Sequence, residues 1–584
     1  MKSNFNKYPA VELRSSSDEC LVGWNSIASE LNRAIQNNRS NKTILVIDCY
    51  QGTYEDELLG ALNKNLNPDH TFLSKDCMYP QNEILAITQP DVTNDRIFGF
   101  LTKLTLDELF DGSKLNRSKN TISKITDGLV VVFGVGASLL IDEPHILVYA
   151  DMARWEIQLR MRSNEINNLG IRNKDESIEK QYKRSYFVDW RLCDRHKKKL
   201  MHTWDYVIDT NNHNQPKMLS GDLVREGLKK AAHQPFSPVP YFDQGPWGGQ
   251  WMKEVCDLDK DADNFAWCFN CVPEENSILL ALGDIKFELP SINVVFFDPA
   301  ALLGEAVYGR FGDEFPIRFD FLDTMGGGNL SLQVHPLTEY IQEKFGIHYT
   351  QDESYYILDA EEDAVVYLGL NEGVVPDEMI KDLQTSQKTG VDFPDHKHVK
   401  KWSAKKHDHF LIPAGTVHCS GSNSMVLEIS ATPYIFTFKL WDWGRLGLDG
   451  KPRPINIEHG KNVIQWNRTE NWTRKNLVNQ ITTIDSGDGW ECEKTGLHER
   501  EFIETHRHWF TKPVYHKSKS GVQVFNVIEG REIIVESPTG LFEPMIFHYA
   551  ETFIIPAAAG DFTISPHGES MGNKCGTILA YVRT

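Results

Sequence analysis

Leu330 to Pro336 reads LSLQVHP, an alternation of apolar and polar residues. That period belongs to a half-buried β-strand, not to a helix. Gln333 and His335 are two apart, so their side chains leave the same face. An amide oxygen beside an imidazole nitrogen makes half of a borderline-hard metal site. Two pieces follow downstream. Asp352 to Leu358 (DESYYIL) is a strand-like run that opens on a carboxylate. Phe410 to His418 (FLIPAGTVH) is a strand, a Pro/Gly turn, and a histidine where the next strand begins. Gln333, His335, Glu353 and His418 then form an O, N, O, N donor set with room for a water or substrate oxygen. The competing reading is four unrelated polar residues on a sandwich surface.

LSLQVHP, then E-x-x-Y from Glu353, then IPAGTVH resemble in order the zinc site of the type I phosphomannose isomerases. Other stretches agree in the same order: PYFDQGPWGGQWMKE (Pro240 to Glu254), FPIRFDFLD (Phe315 to Asp323), FTFKLWDWGR (Phe436 to Arg445) and GKPRPINI (Gly450 to Ile457). The resemblance covers residues 236 to 584. It implies a cupin (jelly-roll) core, with Zn2+ held by Gln333, His335, Glu353 and His418. It also implies interconversion of mannose 6-phosphate and fructose 6-phosphate, with a small sugar phosphate as the partner. Glu428, on the strand-like MVLEISATP, falls where the family has an active-site glutamate. Moving a proton between C1 and C2 needs a base near neutral pKa and a cation that polarises the carbonyl, so Glu428 is the candidate base. Its alternative is a strand carboxylate with a structural partner.

Three positions depart from the family pattern. Gln351 and Asp320 stand where the family has lysines, and Lys439 replaces an arginine. Such cations would hold a sugar phosphate or steady an enediolate. Arg318 shares a strand face with Asp320 and is the expected substitute. Ser331 is available as a hydroxyl donor, and Lys439 keeps the charge without the bidentate fork. Three functions follow: the mannose 6-phosphate isomerase, a zinc cupin isomerase of another sugar, phosphorylated or not, or a non-catalytic sugar-sensing or scaffold protein. An intact ligand set argues against the third.

The first part of the chain has a different grammar. TILVID (Thr43 to Asp48), GLVVVFG within Asp127 to Leu140, HILVYAD from His145 and WDYVIDT (Trp204 to Thr210) are short apolar runs separated by helical stretches. Strands alternating with helices predict a doubly wound α/β domain over residues 18–225. The order resembles that of P-loop nucleoside or uridine kinases. The strand leads into CYQGTYEDE, however, with no G-x-x-x-x-G-K-[ST], so phosphotransfer is not expected. Arg191 to Lys199 (RLCDRHKKK) reads as a solvated cationic helix face. Pro235, Pro238, Pro240 and Gly245 mark the boundary.

The whole is therefore an α+β multidomain chain, a P-loop-kinase-like α/β unit followed by an all-β cupin region. The metal-binding cupin spans 236–460, with a helical insert near 376–400, and a second, metal-free one spans 461–584. The glycine cluster DTMGGGN (Asp323 to Asn329) is an anion-binding turn or a hairpin turn. His396, His398, His407 and His409 lie in a Lys-rich run that reads as solvated surface, and His506 and His508 read as lacking partners.

A net charge of −20 disfavours nucleic acid, and no apolar run is long enough to span a membrane. The polar start MKSNFNKYPAVELRSSSDE lacks a signal-peptide core, so the expected compartment is the cytoplasm. Ten scattered cysteines read as free thiols, including the CxxC of Cys268 and Cys271.

Overall fold

A computed structural model describes residues 3–38, 40–431, 436–446, 453, 455–496, 498–499, 501–518 and 521–584. The N-terminal region is built on a seven-stranded sheet. Five strands are parallel, in the spatial order His70–Leu73, Gly128–Gly134, Lys42–Cys49, Ile146–Asp151, Tyr206–Asp209. Lys217–Ser220 and Leu21–Val22 extend one edge antiparallel. Lys42–Cys49 is central and buried along almost its whole length, which is why it reads as an unbroken apolar run. The chain leaves Lys42–Cys49 and Gly128–Gly134 in opposite directions, as in a doubly wound sheet.

The cationic run at Arg191 to Lys199 corrects the sequence reading. It forms the helix Trp190–Leu200, and one side of it is buried. Lys197 Nζ donates to both oxygens of Asp151 (2.8 and 3.0 Å) and to Asn293 Oδ1 (3.1 Å). His196 Nε2 meets Asp48 Oδ2 at 2.9 Å, and Asp194 pairs with Arg154 and accepts from Tyr50 Oη at 2.8 Å. Asp151 ends its strand and Asp48 stands one residue before the end of its own, both inside the protein, and buried carboxylates demand partners. Charge periodicity alone does not reveal such a demand.

The second region holds two antiparallel sheets. One runs His409–Ile412, Glu353–Ala360, Ser424–Ser430, Arg318–Asp323, Trp267–Cys271, Tyr241–Asp243. The other runs Val399–Ser403, Val365–Leu370, His418–Ser420, Leu332–Val334, Phe438–Trp441. The expected helical insert is the helix Pro376–Thr389, with proline in its first turn and left-handed Gly390 closing it. Beyond it, the strands between Thr482 and Val582 form a six-stranded and a four-stranded sheet around a core that includes Phe525, Phe547, Phe553 and Phe562.

Several smaller expectations change. In the glycine cluster, the N–H groups of Gly326, Gly327 and Gly328 already bond to Asn423 Oδ1, Thr324 O and Trp247 O, so no anion cradle remains. A Cβ on Gly327 would lie 2.4 Å from Trp247 O, so close packing against residues 247–248 requires glycine there. His398 and His409 are buried, not solvated: His398 pairs with Asp382, and burial followed by Arg507 pushes His409 down to about 3. His506 has Glu504 as a partner, and the His508 ring lies 4.7 Å from that of His516. All ten cysteines are buried and unbridged. Among the described residues no helix is long and apolar enough to cross a membrane.

Candidate metal centre

Cross-strand register builds the centre. Gln333 stands opposite His418 on one side and opposite Lys439 on the other, so the three side chains share one sheet face. Glu353 begins its strand on the facing sheet, opposite Ser430 and Ile412. The two sheets bring Glu353 Oε2 to 3.1 Å from His335 Nε2, and Glu353 Oε1 to 2.9 Å from His418 Nε2. Gln333 Nε2 lies 3.2 Å from His418 Nε2, and turning the amide over would present its oxygen there instead. His335, Glu353 and His418 bring donor atoms within 4.8 Å of one another, and among the described residues no other such group occurs.

Both histidines are oriented from behind. His335 Nδ1 bonds to Phe436 O at 2.7 Å and His418 Nδ1 to Thr416 O at 2.9 Å, which leaves both Nε2 atoms for the centre. The turn before His418 requires Gly415: its φ is +87°, and a Cβ would sit 2.9 Å from Val463 O. Arg468 braces that turn through Pro413 O and Ala414 O, both at 2.7 Å. Burial alone would raise the Glu353 carboxyl, but His335 and then His418 hold it well below the usual range.

The fit to a metal rests on this chemistry. Two imidazole nitrogens, a carboxylate and an amide converge in a buried space, where His335 Nε2 and Glu353 Oε1 meet other donors of the set without a well-aligned hydrogen bond. Borderline nitrogen and oxygen donors of this kind suit zinc.

The other sequence candidates fall into two groups. Glu428 lies beside the quartet, opposite Asp320 on one side and Tyr355 on the other. Gln351 Nε2 reaches Glu353 at 2.9 Å and Glu428 at 3.4 Å. Burial, then Glu353 and Asp320, pushes the Glu428 carboxyl well above its ordinary value. Asp320 Oδ1 is buried without a partner, and burial drives that carboxyl up too. Arg318, by contrast, is committed elsewhere: it is buried, pairs with Glu274 and donates to Ala431 O at 3.3 Å. Ser331 Oγ donates to Asp442 Oδ1 at 2.9 Å.

Two residues escaped the sequence reading. Arg445 and Arg453 both pair with Asp442, the latter at 2.8 Å, and Lys439 lies close enough to feel all three charges. Burial, then Arg453, pushes Lys439 down to about 8. Three cations therefore surround one carboxylate. The signal was present in FTFKLWDWGR and GKPRPINI, but residues 447–452 and 454 of that neighbourhood lie outside the described residues.

Residues 23–233 match a family described as "Domain of unknown function (DUF8485)". Mannose-6-phosphate isomerase ManA of Bacillus subtilis (strain 168) is 28% identical over 154 residues, 26% of this chain and 45% of the relative. Mannose-6-phosphate isomerase of Streptococcus mutans serotype c is 24% identical over 229 residues, 39% of this chain and 66% of the relative. The chain thus spans under half the length of ManA. The crystal structure of the mannose 6-phosphate isomerase from Bacillus subtilis aligns with a TM-score of 0.49 at 20% identity, over 60% of this chain and 100% of that one. The chain is similar in sequence to proteins named mannose-6-phosphate isomerases, and such enzymes are isomerases.

Proposed function

We propose that the chain is a zinc-dependent aldose–ketose isomerase that interconverts mannose 6-phosphate and fructose 6-phosphate. The observation that carries this reading is the buried His335, Glu353 and His418 cluster with Glu428 beside it. Gln333, His335, Glu353 and His418 would hold the metal, which when bound polarises the substrate carbonyl. Glu428 takes the proton from C2 of the aldose and returns it to C1 while the hydroxyl proton passes from O2 to O1, and the reverse reaction runs through the same group. Its raised pKa suits a base that must also give the proton back. Gln351 keeps Glu428 in register with Glu353. Lys439, Arg445 and Arg453 supply the positive charge that a sugar phosphate requires.

Residues 236–460 form the catalytic unit in this reading and residues 461–584 a second, metal-free unit. Residues 18–225 form a kinase-like unit without phosphotransfer. Two observations favour an unphosphorylated sugar instead: Arg318 is neutralised by Glu274, and Asp320 places a carboxylate where a cation was expected. A coupled assay of the zinc-loaded protein tests both. Turnover of mannose 6-phosphate that a chelator abolishes supports the first reading, turnover of mannose alone the second, and no turnover of any aldose sinks the isomerase.

A further inference from the structure

Phe98 belongs to the N-terminal region, yet its ring is buried behind the metal centre. It stacks on Phe436 (centroids 5.4 Å apart, planes at 22°), meets Phe438 edge-on at 5.4 Å and lies 5.2 Å from Phe345. Phe187, from the wide helical turn Ser185–Asp189, also meets Phe436 edge-on at 6.3 Å. The segment that presents Phe98 is tied down along its length. Asp95 Oδ1 accepts from the N–H groups of Ile97 and Phe98 at 2.7 Å each. Arg195 donates to Leu104 O and Thr102 O at 2.6 Å each, and Leu101 N bonds to Phe345 O at 2.8 Å. A Cβ on Gly99 would lie 2.6 Å from Asp91 O and 2.7 Å from the Phe187 ring, so the close seating requires glycine.

The peptide groups of Phe436 serve the centre directly. Its carbonyl accepts from His335 Nδ1 at 2.7 Å, and its N–H donates to Gln351 Oε1 at 3.1 Å. Gln351 in turn donates to Glu353 at 2.9 Å and reaches Glu428 at 3.4 Å. One residue therefore orients His335 and, through one amide, both Glu353 and Glu428.

We propose that Phe98 is a positioning residue of the metal centre: by clamping the Phe436 ring it fixes the Phe436 carbonyl and N–H, and through them His335, Gln351, Glu353 and Glu428. The N-terminal region thereby becomes part of the site without touching the substrate. The inference rests on the metal-site reading given above. Groups that hydrogen-bond to metal ligands set ligand tautomer and basicity, and their loss costs about 10- to 100-fold in metal affinity. A purely adhesive role between the two regions predicts no such loss.

The test is zinc affinity of the full chain by chelator competition, together with the visible spectrum after cobalt substitution. Wild type is compared with Phe98→Ala, Phe98→Leu and Trp155→Ala. Trp155 serves as the control because it bridges the same two regions elsewhere, stacking on Tyr241 at 6.2 Å and donating to Glu288 at 3.0 Å. The expected result is a loss of about tenfold or more in zinc affinity for Phe98→Ala, with altered cobalt bands and an intermediate Phe98→Leu. Trp155→Ala should stay within about twofold of wild type. Unchanged affinity and bands in the Phe98 variants, or an equal loss in Trp155→Ala, overturns the proposal. If Phe98→Ala does not fold, Phe98→Leu decides. A wild type that takes up no zinc fells the metal reading itself, before any variant is compared.

Discussion

Asp320 lies directly across from Glu428 on paired antiparallel strands, so two carboxyl groups share the face that also carries Glu353. Neighbouring carboxylates resist ionising together, which adds to the effect of burial on Glu428. A base works only when deprotonated, so activity should rise with pH through the Glu428 ionisation. Asp320→Asn removes one negative neighbour, lowers that pKa and moves the acid limb of the kcat/KM profile to lower pH. A limb that stays in place shows that Asp320 does not act on the base.

Replacing Glu428 with glutamine keeps shape and removes basicity. Turnover should fall by about 10²- to 10⁴-fold while bound zinc, measured by elemental analysis, stays stoichiometric. A variant that loses both metal and activity would make Glu428 a structural carboxylate.

Lys439 offers a second pH signature. Burial and the nearby Arg453 bring it to about 8, so it sheds its charge as pH rises through that value. KM for a phosphorylated sugar should rise above that pH, and Lys439→Arg should flatten the rise because guanidinium stays charged. Equal KM slopes in wild type and variant would remove Lys439 from phosphate recognition.

Away from the centre, Glu288 ties the two regions together, accepting from Trp155 and Ser277. Burial, then Asp209, pushes its carboxyl up from 4.5 to about 7. The folded chain holds this proton more tightly, so the stabilisation is complete below the unfolded value and is lost as pH rises through the folded one. The loss is on the order of 3 kcal/mol between those two values. Glu288→Gln should flatten that decline, which urea midpoints taken on either side of the window would reveal. Parallel declines in variant and wild type would assign the pH dependence elsewhere.

Much of this was legible in the residues. Alternation around Gln333 located a strand, but it spans only Leu332–Val334 and Leu330 to Pro336 is buried throughout, so the half-buried reading fails and His335 lies just past the strand. The Pro/Gly turn did set His418 at the start of the next strand. Buried apolar runs such as Thr43–Asp48 announced a parallel sheet. Illegible were the partners that neutralise charge across long sequence distances. Nothing in Arg191 to Lys199 says that Asp151 draws Lys197 inside, and nothing near Arg318 points to Glu274, 44 positions away. Arg445 and Arg453 were visible only as motif letters, because their meaning depends on where Asp442 and Lys439 come to rest. Phe98 gave no signal at all, since its neighbours Phe345, Phe436 and Phe438 come from hundreds of residues downstream.

Lys197 joins Asp151 of the N-terminal sheet to Asn293 of the region that follows, and Asn293 also donates to Asp151 at 2.8 Å. There is thus no clean seam at which to cut this chain in two. Severing it near the proline-rich boundary would strip a buried carboxylate and ammonium of a shared amide, and would open the Phe98 pocket to water. Neither fragment should be well behaved alone, and calorimetry of the intact chain should find the two regions melting in a single endotherm.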